Sequence, residues 1–91
     1  MEIKTVTVIG ANGTMGCNIA GIFASFGKCK VYMVCRSLEK AQKAIPQSIK
    51  SIRAEAIASR YVPATYDDLP TCIAESDLIF DDSLFQLIVS N

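Results

Sequence analysis

The 91-residue chain contains no histidine. Histidine is the commonest general base near neutral pH and a frequent zinc ligand, so a histidine-based catalytic step and a Cys/His zinc site are both excluded from these residues. An excess of charge is also missing, because nine Lys and Arg balance nine Asp and Glu. Without a basic surplus there is no electrostatic footprint for nucleic acid or for an anionic membrane surface, and neither is expected as a partner. No apolar run approaches the ~18 residues that a membrane span needs. The four cysteines, Cys17, Cys29, Cys35 and Cys72, form no C-x-x-C pair. They read as small buried hydrophobes in a reducing compartment. Internal repeats and low-complexity tracts are absent. Met1-Glu2-Ile3-Lys4 leads straight into a strand pattern with no targeting segment ahead of it, so a cytoplasmic location is expected. Neither a catalytic set nor a metal site is expected within the chain.

What is present suits one soluble core, with 51% hydrophobic and 20% charged residues. Thr5-Val6-Thr7-Val8-Ile9 is β-branched throughout and stops at Gly10, which predicts a strand. A helix follows from about Thr14 to Phe26, with Met15, Ile19, Ile22, Phe23 and Phe26 as one apolar stripe. Gly16, Ala20 and Ala24 form a second row of small residues that would let the helix lie close to a sheet. Lys30 to Cys35 is a near-continuous apolar run, as expected of a parallel strand covered on both faces. Ser37 is a candidate N-cap for a Lys-rich helix reaching about Arg60, with a kink or break expected at Pro46. Val62 to Tyr66 predicts a short third strand that Pro63 confines to an edge. A short helix from Asp67 to about Glu75 and a fourth strand over Asp77 to Phe80 complete the pattern. The order β-α-β-α-β-α-β predicts an α/β, Rossmann-type parallel sheet, truncated after its fourth strand.

The loop between the first strand and first helix carries the chemistry. It reads Gly10-Ala11-Asn12-Gly13-Thr14-Met15-Gly16. A diphosphate must come close to backbone amides at a helix N-terminus, which requires a turn free of Cβ atoms. Gly10 would make the tight turn, Gly13 the close approach and Gly16 the helix–strand contact, with Asn12 and Thr14 able to hydrogen-bond phosphate or ribose. The position after the second strand decides the adenosine end. A carboxylate there accepts hydrogen bonds from the ribose of NAD, whereas this chain has Cys35-Arg36-Ser37. Arg36 could pair with a 2′-phosphate and Ser37 could donate to it, which leans towards NADP. Glu39 lies near enough in sequence to serve a ribose, so NAD or NADP stays open. Asp67, Asp68, Asp81 and Asp82 read as capping and turn residues, and Lys40, Lys43, Lys50 and Arg53 as the wet face of the second helix.

Val8 to Gly21, with its glycine loop, resembles the opening of the NAD-binding domain of the 3-hydroxyacyl-CoA dehydrogenase family. The Lys-rich stretch 38–60 and the strand Glu75-Ser76-Asp77-Leu78-Ile79-Phe80 are similar to later elements of that domain, and the likeness spans about residues 5–80. The resemblance implies a cofactor-binding part of an oxidoreductase of fatty acid metabolism, moving hydride between the nicotinamide and an acyl-CoA type substrate. It implies that 1–91 is a partial dinucleotide-binding domain whose catalytic groups and substrate and dimerisation domain lie elsewhere, so that the chain alone gives no turnover. Here the loop has one residue more between its first two glycines, and Cys35 stands where the family has an acid. Two other readings compete. The G-x-x-G-x-x-G spacing and Arg36 also suit an NADP-binding domain of the short-chain reductase or epimerase type. The lack of histidine and the short length suit a non-catalytic nucleotide-sensing module. A fourth strand without a neighbour would be an unprotected edge, so the apolar tail Leu84 to Val89 is expected to fold back as a substitute strand or to pair two chains into a homo-oligomer.

Overall fold

The computed structural model describes residues 3–52, 58–82 and 86–89. Its elements are β1 (Thr5–Ile9), α1 (Thr14–Ser25), β2 (Lys30–Cys35), α2 (Leu38–Ile52), β3 (Tyr61–Thr65), α3 (Leu69–Glu75), β4 (Leu78–Asp81) and β5 (Gln86–Val89). Single 3-10 turns at Ala58–Arg60 and Tyr66–Asp68 lead into and out of β3. The sheet order is β3-β2-β1-β4-β5. The first four strands pair in parallel, and β5 turns back antiparallel on β4. The expected Rossmann-type α/β class is therefore the observed one. The tail takes the fold-back route, so β4 is not the bare edge through which two chains were expected to pair. Of that tail, Leu84 and Phe85 lie outside the described residues.

Strand alternation sorts the side chains into two cores. Val6 and Val8 of β1 with Val31, Met33 and Cys35 of β2 face one side of the sheet, where Ala20, Ala24, Ala41 and Ala44 from α1 and α2 cover them. Tyr32 and Val34 face the other side, against Ala64 and Cys72. Buried polar groups are tied across layers. Thr7 Oγ1 donates to the Cys72 carbonyl at 3.2 Å and shares a hydrogen bond with Ser76 Oγ. Ser48 Oγ donates to the Cys17 carbonyl at 2.8 Å and bonds the Tyr61 hydroxyl.

Two expectations change, at the apolar stripe of α1 and at Pro46. In α1 the row of small residues, Gly16, Ala20 and Ala24, is buried, as expected of a helix lying close to a sheet. Met15, Ile22 and Phe26 of the apolar stripe are exposed, and only Ile19 and Phe23 pack partly on the core. A helix that lies this close to a sheet leaves no room for large side chains between them. In α2 the helix is not broken at Pro46. Pro46 and Gln42 are both on the exposed side, so the carbonyl that loses its partner can turn to water. The stretch between Ile52 and Ala58 lies outside the described residues, and with it the expected continuation of the helix to Arg60. Pro63, as expected, sits on the edge strand, opposite Met33. Among the described residues, no helix is long and apolar enough to cross a membrane.

The start of β1 is pinned by Asp77, whose Oδ2 accepts from the backbone N–H of Lys4 at 2.9 Å and of Thr5 at 3.2 Å. These bonds hold its carboxyl below the ordinary carboxylate value. A depressed pKa gives stability that is complete above the unfolded-state value and lost as pH falls through the folded one. Thermal unfolding of Asp77→Asn should show a lower melting temperature than wild type near neutrality, with the gap closing in acid. A constant gap across pH would show that the carboxylate is not responsible. Burial likewise pushes the thiols of Cys17, Cys29, Cys35 and Cys72 above the ordinary cysteine value, and all four are free. An aromatic disulfide reagent at about pH 8 should react slowly with the native chain and with all four thiols once it is unfolded.

Candidate functional site

The four parallel strands end on one side of the sheet, and a group just past each of them meets there. Gly10 follows β1, Arg36 follows β2, Tyr66 follows β3 and Asp82 follows β4. Together with Asn12, Gly13, Cys35 and Lys40 they line a cleft of about 310 Å³. The cleft opens where the order reverses, since β2 lies on one side of β1 and β4 on the other. That is where open α/β sheets bind ligands.

The loop is anchored at both ends. Gly10 N and Ala11 N donate to the Val34 carbonyl at 2.9 and 3.2 Å, and Gly13 N donates to the Gly10 carbonyl at 2.9 Å. Gly10 has φ +74°, the left-handed region that favours glycine. Gly16 meets β1 so closely that a Cβ on it would lie 2.7 Å from the Gly10 carbonyl oxygen and 3.2 Å from Ala11 Cα. The turn and contact geometry assigned to Gly10 and Gly16 from the spacing is thus present. Gly13 is the N-cap of α1 and offers no side chain to cap it. That function falls to Asp82, whose Oδ1 accepts from Gly16 N at 2.8 Å.

The other proposed contact residues divide. Asn12, Cys35 and Arg36 reach the cleft, although Cys35 is buried and its thiol points to Asn12 Oδ1 at 3.7 Å. Ala11 is buried, and with Thr14, Met15, Gly16 and Ser37 it stands off the cleft lining. Ser37 instead caps α2, accepting at Oγ from Lys40 N at 3.2 Å. Asp68 is a capping residue as read, bonding back to Thr65 N at 3.1 Å. Glu39 pairs with Lys43 at 3.0 Å along the exposed face of α2, which turns it from any ribose.

Three lining residues escaped the sequence reading. Lys40 is exposed, as read for the wet face of α2, but from the helix's first turn it also lines the cleft. Its place four residues after Arg36 was the available signal. Tyr66 and Asp82 come from strands remote in sequence and had none. Among the described residues, no group of three or more His, Cys, Asp or Glu is placed to hold a metal ion.

A glycine-rich turn that opens a helix between two parallel strands, with cations at the end of the second, defines a dinucleotide-binding domain. The loop geometry fits such a cofactor, since the space a Gly16 Cβ would fill is left to the backbone. A model of the shikimate/quinate 5-dehydrogenase family matches residues 1–88, and the chain belongs to that family. It is an oxidoreductase module whose cofactor is NAD or NADP. This corrects the resemblance to 3-hydroxyacyl-CoA dehydrogenases and the acyl-CoA substrate and fatty acid metabolism it implied. The likeness rested chiefly on the glycine loop and the strand Ser76 to Phe80, parts of a dinucleotide-binding fold that say little about the substrate. No curated protein matches the chain.

Gly16→Ala should destabilise the fold by about 1–3 kcal/mol, because the clash is with backbone that cannot rotate away. That loss outweighs the ~1 kcal/mol gained in helix propensity. Chemical denaturation measures it, and a stabilised variant would refute the close contact.

Proposed function

We propose that residues 1–91 form the dinucleotide-binding portion of an NADP-dependent oxidoreductase acting on a shikimate- or quinate-type hydroxy acid. The observation that carries the reading is that Arg36 and Lys40 both line the cleft, with Cys35 rather than a carboxylate at the end of β2. Two cations suit the extra phosphate on the ribose of NADP, and no acid is placed there to repel it. In this reading Gly10, Ala11, Asn12, Gly13, Thr14, Met15 and Gly16 receive the diphosphate through backbone and short side chains. Cys35, Arg36 and Ser37, joined by Lys40, receive the adenosine end, and the Tyr66 ring offers a face to the adenine. When bound, the nicotinamide supplies the hydride chemistry. The groups that hold the substrate and take its hydroxyl proton belong outside residues 1–91, so the chain by itself binds cofactor and gives no turnover.

Of the alternatives weighed from the sequence, the NADP-binding domain is favoured by the same two cations. Calorimetric titration of the full chain with NADPH and NADH tests it. NADPH should bind at least about tenfold more tightly. Arg36→Ala and Lys40→Ala should each weaken NADPH about ten- to a hundredfold, the worth of one charge-assisted contact, and leave NADH nearly unchanged. Equal affinities insensitive to both substitutions would overturn the NADP assignment. No binding of either at millimolar concentration would overturn the cofactor reading of this chain.

A further inference from the structure

The diphosphate end of the cleft already holds an anionic side chain. Asp82 N donates to the Ile9 carbonyl at 2.9 Å, which fixes the residue beside the end of β1. From there its side chain reaches all three loop glycines. Its Cβ lies 3.3 Å from where a Cβ on Gly10 would be, and its Cγ 2.7 Å from where one on Gly13 would be. Its Oδ1 takes the N–H of Gly16, in the first turn of α1. The space that Gly10 and Gly13 clear, and a helix N-terminal N–H that a diphosphate would use, are both taken by one carboxylate of the same chain.

We infer that Asp82 is an internal competitor for the diphosphate subsite, so that the loop holds either this carboxylate or a dinucleotide. The inference rests on the dinucleotide reading of the cleft given above. Three physical reasons make the two occupants exclusive. Both need the Gly16 N–H and the positive end of the α1 dipole. Both fill the volume left by the missing Cβ atoms of Gly10 and Gly13. A diphosphate beside the carboxylate would also set like charges within a few ångströms in a partly buried site. A dinucleotide therefore binds only to the fraction of molecules in which the Asp82 side chain has rotated out, and its apparent affinity falls by that fraction. Arg36 and Lys40 take no part in this competition, since the Asp82 contacts run to Ile9 and the loop glycines. A ligand that carries the adenosine and its 2′-phosphate without the diphosphate bridge escapes it.

Titration of the full chain and its Asp82→Ala and Asp82→Asn variants with NADPH and with adenosine 2′-monophosphate tests the inference. Asp82→Ala removes both bulk and charge, and should tighten NADPH at least about tenfold while leaving the 2′-monophosphate within about twofold. Asp82→Asn keeps the volume and a hydrogen-bond acceptor for Gly16 N but removes the charge, so its gain should be smaller. It also carries the test if loss of the cap prevents Asp82→Ala from folding, which circular dichroism checks. If the 2′-monophosphate binds all forms while NADPH binds the variants no better than wild type, the inference is overturned and the cofactor reading stands. If neither ligand binds any form, the cofactor reading fails and the inference with it.

Discussion

A missing Cβ and a carbonyl set the geometry from which the rest of this molecule follows. Gly16 rests against the Gly10 carbonyl, and that contact decides how close α1 comes to the sheet. Once the first turn is that near, the same face of the helix must stay small, and Ala20 and Ala24 continue it over Val6, Val8 and Met33. The larger residues are displaced to the flanks and to solvent, where Phe26 is 72% exposed. The close approach also lifts the loop over the strand ends. Gly10 therefore turns at positive φ, and α1 begins directly above the cleft with no cap of its own.

That chain of consequences explains which parts of the fold were legible in the sequence. Strands showed through composition, because β-branched runs and the apolar stretch Val31 to Cys35 have few other uses, and Pro63 marked an edge. In α1 the small-residue row was legible but the apolar stripe misled, because periodicity weighs side chains by size and a helix pressed on a sheet buries its smallest ones. The Pro46 position misled for a related reason. A proline breaks a helix when the carbonyl it orphans is buried, and sequence alone does not show that Gln42 faces water.

The candidate site divides along the same line. Its local parts, the glycine loop and Arg36, were readable because each sits within a few residues of the strand end that positions it. Lys40 was half readable, since helical geometry alone returns a first-turn residue towards the preceding strand. Tyr66 and Asp82 were not, because the register of β3 and β4 on their neighbours, and no local signal, brings them to the cleft. The resemblance first drawn from the loop shows the same limit. A diphosphate-binding turn is constrained by the cofactor, so it is shared by enzymes with unrelated substrates and identifies the cofactor class alone.

The cleft is consequently polarised in a way that neither net charge nor motif reveals. The chain as a whole is neutral, yet Arg36, Lys40 and Asp82 all line one cleft, with Asp82 held at the glycine loop. An uncapped helix N-terminus carries a partial positive charge and unsatisfied N–H groups, which must be met by solvent, ligand or side chain. Most N-caps meet that need locally, from the residue at the cap itself. Gly13 cannot, because the loop needs its small size, and the need is met from β4 across 66 positions of sequence. The glycine that opens space for a ligand is thus the reason a distant carboxylate has a place to go, and stability of α1 and access to its N-terminus become opposing demands on one residue.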